Sequence, residues 1–277
     1  MPPRRHSWSG NDVHGAGPVV SDGTRVFVAG ADNAVNAFRL TDGAPLWTVP
    51  LALRGERLLH QWYGTATSRG VAYVGTTQGL GAYDAASGRS LWSAPAAGRP
   101  VVAAGRVFVA RAGGVTAVDA AGCAAVTCPV LWNRELGPSK TSPPGADGRA
   151  PRIGGASGST LFATYFDYGD GMTQRGVLVR LSASTGAVLW STSTLENPGT
   201  PARAGGTVWL IADPGPDGTG VRSVEGYRAS GRGTASLFRY ELPVGQRGFY
   251  GGVAISSGTV VAQSMSGMVV GFRVPGT

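Results

Sequence analysis

Lysine is almost missing from this chain of 277 residues: Lys140 is the only one, so arginine carries nearly all of a net charge of +8. Charged residues make up only 14% of the sequence. A basic balance suits an anionic partner, but the arginines are scattered, and the densest cluster is Arg4-Arg5. No stretch interleaves arginine with aromatics as a nucleic-acid groove does, so nucleic acid is not an expected partner. No apolar run reaches 18 residues, which excludes a membrane-spanning helix in this chain. The opening MPPRRHSWSG is basic but has no apolar core, so it is no signal peptide as it stands. It reads as a start trimmed of its export segment, or one placed too late. Long amphipathic helices are missing too: the nearest candidate, Leu51 to His60, is short and holds a glycine. There is no G-x-S-x-G elbow, and with three histidines (His6, His14, His60) no Ser-His-Asp set can be assigned.

Glycine, by contrast, is abundant, with 45 residues. The glycines fall at turn positions between apolar runs rather than in a collagen-like period. The stretch Gly79 to Pro95, GLGAYDAASGRSLWSAP, shows the unit. Leu80 to Ala85 has the alternation of a half-buried strand. Ala86-Ser87-Gly88 is a turn in which the glycine is free to take positive φ. Ser90-Leu91-Trp92-Ser93 is a second strand with a large aromatic. The Trp-bearing strand recurs as Leu46-Trp47, Leu131-Trp132 and Leu189-Trp190, more weakly as Leu237-Phe238, and as an orphan Ser7-Trp8-Ser9 at the start. Each full copy follows a turn with glycine and, before it, a β-branched run such as Val26-Phe27-Val28 or Val107-Phe108-Val109. Small-residue segments such as Pro18-Val19-Val20 precede those runs. Four strands per unit of roughly 45 residues is the period of a β-propeller blade.

The pattern V-[FY]-V-G … G-x-x-A-[FY]-D-A-x-[ST]-G-x-x-L-W resembles the PQQ-binding-like β-propeller repeat. Val71 to Trp92 matches it best, then Val26 to Trp47, and the resemblance spans about residues 7 to 274. It implies an all-β propeller of four-stranded antiparallel blades. It also implies that Trp47, Trp92, Trp132 and Trp190, with Trp8 in the same register, pack between neighbouring blades. The quinoprotein dehydrogenases of that family carry adjacent cysteines at the cofactor and a Glu-Asn-Asp calcium set. Here the cysteines are not adjacent and no such acidic set is recognisable. The resemblance therefore implies the repeat and not the enzyme, and no cofactor is expected. PQQ with calcium is the alternative.

Six blades are expected: five complete, and a sixth that stops after its third strand near Val274. The orphan strand at residues 6–10 is expected to complete the sixth sheet, which would otherwise leave an unpaired edge. A piece of a seven- or eight-bladed ring is the alternative. Residues 1–6 are expected to be disordered and 7–277 to form one domain. Cys123 and Cys128 lie in the turn region of the third blade. Four intervening residues allow a disulfide, zinc would need two further ligands, and free thiols are the remaining state. The disulfide is the expected state and points to an oxidising, extracytoplasmic compartment.

Propeller geometry puts the turns between strands two and three on the same face as the connections from strand four to the next strand one. The elaborations Arg54 to Gly64, Gly137 to Arg152, Asp167-Tyr168-Gly169-Asp170-Gly171 and Asp213 to Gly218 all share that face. It is the expected binding face for a protein or small ligand, with His60, Trp62, Tyr63, Asp167, Asp170, Asp213 and Asp217 as candidate contacts. The aspartates do not fit an EF-hand spacing, and turn chemistry alone accounts for them. The functional expectation is a monomeric, non-catalytic, extracytoplasmic propeller that binds or scaffolds. The alternatives are a PQQ-dependent dehydrogenase-like enzyme or a fragment of a larger receptor or sensor.

Overall fold

The structure, a computed structural model, describes residues 19–29, 34–51, 64–76, 78–111, 113–136, 150–167, 175–194, 197–213, 222–231, 236–241, 253–256, 258–263 and 269–273. Among them there are 24 strands and no helix. The first sheet holds β1 (Val20–Ser21), β2 (Arg25–Ala29), β3 (Ala34–Arg39) and β4 (Pro45–Pro50). The second holds β5 (Gly64–Ser68), β6 (Val71–Gly75), β7 (Leu80–Asp84) and β8 (Ser90–Ala94). The third holds β9 (Arg99–Ala103), β10 (Arg106–Arg111), β11 (Gly114–Asp119) and β12 (Trp132–Glu135). The fourth holds β13 (Arg152–Ser157), β14 (Thr160–Asp167), β15 (Arg175–Ser182) and β16 (Val188–Thr194).

The fifth sheet has five strands, β17 (Asn197–Pro198), β18 (Ala202–Ala204), β19 (Thr207–Asp213), β20 (Ser223–Arg228) and β21 (Phe238–Glu241). Both β17 and β18 pair antiparallel with β19, so its first strand is one strand interrupted at Gly199 to Pro201. The sixth holds β22 (Val253–Ser256), β23 (Thr259–Gln263) and β24 (Val269–Arg273), three strands among the described residues. Every sheet is a meander of neighbours in sequence. The orphan strand with Trp8, and its expected pairing beside β24, lie outside the described residues. The chain divides into two compact units, Met1–Arg111 with Thr116–Trp132, and Ala112–Val115 with Asn133–Thr277.

Burial follows strand position. The second strands read as continuous apolar runs because both of their faces are covered: Val26 to Ala29, Ala72 to Gly75 and Val107 to Ala110 are all buried. The fourth strands alternate between exposed and half-buried, as in β12 and β21, because one face looks to solvent. Prolines 45 and 50 bound β4, where an outer strand tolerates a missing donor.

In the first, second and fifth sheets an aromatic on strand two meets an aromatic on strand four across a small residue of strand three, whereas in the fourth Phe162 meets Trp190 across Arg180. Ala37 pairs with both Phe27 and Trp47, and Ala82 with both Tyr73 and Trp92. The ring centroids come to 5.8 Å and 6.0 Å. The fifth sheet exchanges the two ring sizes. Trp209 stands on strand two, Phe238 on strand four and Gly226 between them, with the rings stacked at 5.6 Å. A Cβ on Gly226 would meet the Trp209 ring at 2.9 Å.

Turn glycines make the contact between sheets. Gly43, Gly88, Gly122, Gly186 and Gly231 all have positive φ and lie between strands three and four. In the first unit, a Cβ on Gly88 would stand 2.7 Å from the Trp47 ring, and one on Gly122 would stand 2.3 Å from the Trp92 ring. In the second unit, a Cβ on Gly231 would stand 2.1 Å from the Trp190 indole. So Trp47, Trp92 and Trp190 each lie against the bare turn of the following sheet. The Trp47 indole N–H also donates to the Ala85 carbonyl at 3.1 Å. Trp92 is buried among Val107, Val109 and Val118 of the third sheet. First strands approach by the same device: a Cβ on Gly64 of β5 would fall 2.9 Å from Pro100 Cδ of β9.

Trp92→Ala is expected to lower unfolding free energy by about 3–5 kcal/mol in urea denaturation. Gly122→Ala and Gly105→Ala form a matched pair, since both glycines have positive φ but only Gly105 has open space around its Cβ position. Gly105→Ala should cost only the backbone strain, about 1–2 kcal/mol, and Gly122→Ala clearly more. Equal losses would contradict the steric contact. A further outcome concerns acid. The Asp84 carboxylate accepts from the Ser87 hydroxyl and from the backbone of Ser87 and Ala86, which holds its pKa below the usual carboxylate value. The Ala44 backbone does the same for Asp42. These folded-state values are depressed, so their stabilisation is complete above the unfolded carboxylate range near about pH 4. It is lost as pH falls through the lower folded values. The urea midpoint should drop between pH 5 and pH 2.5, and less steeply in Asp84→Ala, which an unchanged slope would contradict.

Candidate functional site

A cleft of about 350 Å³ opens in the first unit. It runs from Leu51, just past β4, over the β6–β7 turn (Thr76, Gln78, Gly79) to the end of β8 (Ser93, Ala94, Pro95) and on to Thr127. Val74, Leu80, Gly81 and Tyr83 form the rest of its lining. Its size sits at the lower end of ligand sites, which are roughly 300–1,000 Å³. No lining residue carries a charge. In a chain of net charge +8, that makes the cleft a neutral island.

Local chemistry sets its shape. The Thr76 hydroxyl donates to the Gly79 carbonyl and accepts from the backbone of Gln78 and Gly79, so it holds the turn rather than a ligand. Gly79 has φ of +155°, and a Cβ there would strike the Ala94 carbonyl at 2.7 Å. Tyr83 folds over Gly81, whose missing Cβ would otherwise meet the Tyr83 ring at 2.8 Å. Burial raises the Tyr83 phenol above its ordinary value, so it stays a neutral donor and acceptor at physiological pH. The arrangement offers apolar contact with a few neutral hydrogen-bonding groups. It holds no nucleophile with an adjacent base.

The far wall comes from the next sheet. Cys123 and Cys128 are joined by a disulfide with Cα atoms 5.6 Å apart. The closed turn reaches back along the outer edge of β8. The Ser93 N–H donates to the Val126 carbonyl at 2.8 Å, and the Cys128 N–H donates to the Ser93 carbonyl at 2.7 Å. Ser93 and Thr127 form a parallel bridge, with their hydroxyls 3.3 Å apart.

The structure places the sequence candidates as follows. Asp167 ends β14 and Asp213 ends β19, each at the strand-two end that leads to its elaborated turn. Their companions Asp170 and Asp217 lie outside the described residues, as do His60, Trp62, Tyr63 and Trp8. Of the blade tryptophans, Trp92 is buried, while Trp47, Trp132 and Trp190 are half-buried. Gln78, Ser93 and Thr127 carry no motif, Tyr83 enters only as the aromatic of the repeat pattern, and the sequence singles out none of them as a ligand contact. The one signal available was the length of the third blade's last turn, which carries the cysteines.

A second polar group lies in the second unit. Glu225 on β20 is buried, and it accepts from the Tyr227 hydroxyl and from Ser223 at 3.2 Å. Arg239 stands 3.9 Å away. Burial, and then the hydrogen bond to Glu225, push the Tyr227 phenol well above its ordinary range. This network is satisfied from within its own sheet, as buried polar groups must be.

These residues do not fit a PQQ and calcium site. The cysteines are joined across a turn instead of standing adjacent, and no group of three His, Cys, Asp or Glu suited to a metal occurs among the described residues. Asp22 is engaged by the Arg25 guanidinium and the backbone of Thr24 and Arg25, and Asp42 by Arg39 and the Ala44 backbone. Among the described residues, no helix is long and apolar enough to cross a membrane.

Comparison with known proteins bears on fold first. Residues 31–133 match the model of the family described as outer membrane protein assembly factor BamB. The solved structure of BamB from Moraxella catarrhalis is similar, with a TM-score of 0.51, 17% identity, and coverage of 92% of this chain and 83% of that one. The computationally designed Ika8 protein is similar at a TM-score of 0.52 and 13% identity, over 94% of this chain and 83% of that one. No curated protein matches the chain. The cleft, from Leu51 to Thr127, falls wholly inside the matched span. The meandering sheets, the tryptophan repeat and these likenesses together make the fold that of a PQQ-like β-propeller of the kind BamB has, with the family's repeat matched over residues 31–133.

Proposed function

We propose that this protein is a non-catalytic, extracytoplasmic β-propeller that binds or scaffolds a protein partner through the neutral cleft of its first unit. The observation that carries the reading is the coincidence of site and family match. The cleft, free of charge, lies inside the span that matches a family named for an outer membrane protein assembly factor. The disulfide supports an oxidising compartment. Uncharged lining suits a peptide segment with apolar or hydroxyl side chains, and the Gln78 amide and Tyr83 hydroxyl remain to fix its backbone.

Selection of a displayed random-peptide library on the purified protein tests the reading. Uncharged sequences should be enriched on wild type and lost on Gln78→Ala and Tyr83→Ala. Equal enrichment on wild type and both variants would place binding elsewhere, and enrichment of acidic sequences would assign it to the arginines. Titration with PQQ and Ca²⁺ tests the enzymatic alternative. No protein-bound quinone absorbance is expected, and its appearance would overturn the non-catalytic reading.

A further inference from the structure

The turn between strands three and four is short in the second sheet, from Asp84 to Ser90, and long in the third, from Asp119 to Trp132. The extra residues grip the neighbouring sheet at two points. At the near end, the Ala120 carbonyl accepts from the Tyr73 hydroxyl at 2.8 Å, and Gly122 lies against Trp92. At the far end, Cys128 is 2% exposed and packs in the cluster around Trp92. Between them Val126 is 81% exposed and buries almost nothing.

The consequence for β8 is visible in the leucines before each blade aromatic. Leu46, Leu131, Leu189 and Leu237 are exposed by 38%, 47%, 49% and 42%. Leu91, their counterpart on β8, is instead partly buried against the cluster that contains Cys128. So the closed turn covers the one outer strand it pairs with. Its hold there is slight: two backbone hydrogen bonds, each contributing about 0.5–1.5 kcal/mol net, and an exposed valine. Such bonds do not by themselves offset the entropy of ordering the residues between Gly122 and Cys128, which is about 1–2 kcal/mol for each. The covalent closure lowers that cost, by denying the segment many of its disordered alternatives.

We propose that the Cys123–Cys128 disulfide is a redox latch. Bonded, it holds Val126–Cys128 as an added strand on β8 and sets Thr127 as a wall of the cleft. Reduced, it releases that segment, unpairs Ser93 and uncovers Leu91. The chemistry is exchange with a dithiol reductant. A thiolate of the reductant attacks the exposed Cys123 sulfur, the S–S bond breaks, and Cys128 leaves as a thiolate that takes a proton. The second thiol of the reductant then attacks the mixed disulfide and releases Cys123. One protein disulfide becomes two thiols, and the dithiol becomes a disulfide. The effect on the cleft rests on the peptide-binding reading above, whereas the latch does not.

Amide hydrogen exchange on the full chain, with and without dithiothreitol, tests the latch without any ligand. The Ser93 and Cys128 amides should exchange at least about tenfold faster after reduction, while the amides of β7 keep their protection. Reoxidation should restore the slow rates. Cys123→Ser should match the reduced protein, because it cuts the bond but leaves the Cys128 side chain in the core. Unchanged Ser93 exchange in both reduced and variant protein would overturn the latch. Loss of protection throughout the second sheet would overturn it too, by showing a staple of the whole fold. A latch that responds while peptide selection fails would sink the binding reading alone.

Discussion

The contact of one tryptophan ring with one bare turn is the constraint on which the structure depends. A four-stranded meander has two apolar faces and cannot bury either alone. The indole supplies a large flat apolar surface at the outer strand, and the next sheet must present something flat to meet it. Glycine meets that need twice over: its positive φ closes the turn, and its missing side chain leaves room for the ring. At Gly88, Gly122 and Gly231 the space a methyl would need is already taken by an indole. Ala37, Ala82 and Gly226 at the centre of strand three leave room for two aromatics to meet above them, although in the fourth sheet Phe162 and Trp190 meet across Arg180.

Those demands explain why so much of the fold was legible. The repeat showed itself through residues whose size or backbone freedom the packing uses: the strand-four tryptophan, the turn glycine, and β-branched runs buried on both faces. Six units were visible, and six sheets are present among the described residues. What stayed hidden was whatever used another residue for the same job. In the fifth sheet Trp209 and Phe238 trade places, so Leu237-Phe238 read only as a weak copy, although the pair of rings is intact. The interruption at Gly199 to Pro201 was equally silent, since either half of that strand is too short to show a period.

The site was less legible than the fold for a physical reason. Gln78, Tyr83, Ser93 and Thr127 come together through a turn, a strand, an outer edge and a loop of the following sheet. No spacing in the chain records that meeting. The cysteine pair was visible as a disulfide, but nothing in GCAAVTCPVLW says that its backbone adds to the edge of the sheet before it. A neutral cleft also lacks the titratable clusters that announce catalytic chemistry in a sequence. The elaborated turns signal Asp167, Asp213 and the His60 to Tyr63 stretch through loop length, and that stretch lies outside the described residues.

A double-mutant cycle between Trp92 and Gly122 bears most directly on the central contact. If the ring rests on the bare turn, removing the ring must also remove most of the penalty for filling that turn. In the Trp92→Ala background, adding Gly122→Ala should then cost no more than backbone strain, about 1–2 kcal/mol. That would be less than Gly122→Ala costs in wild type. Strictly additive losses would show that the two residues act independently, and would contradict the account of how these sheets are joined.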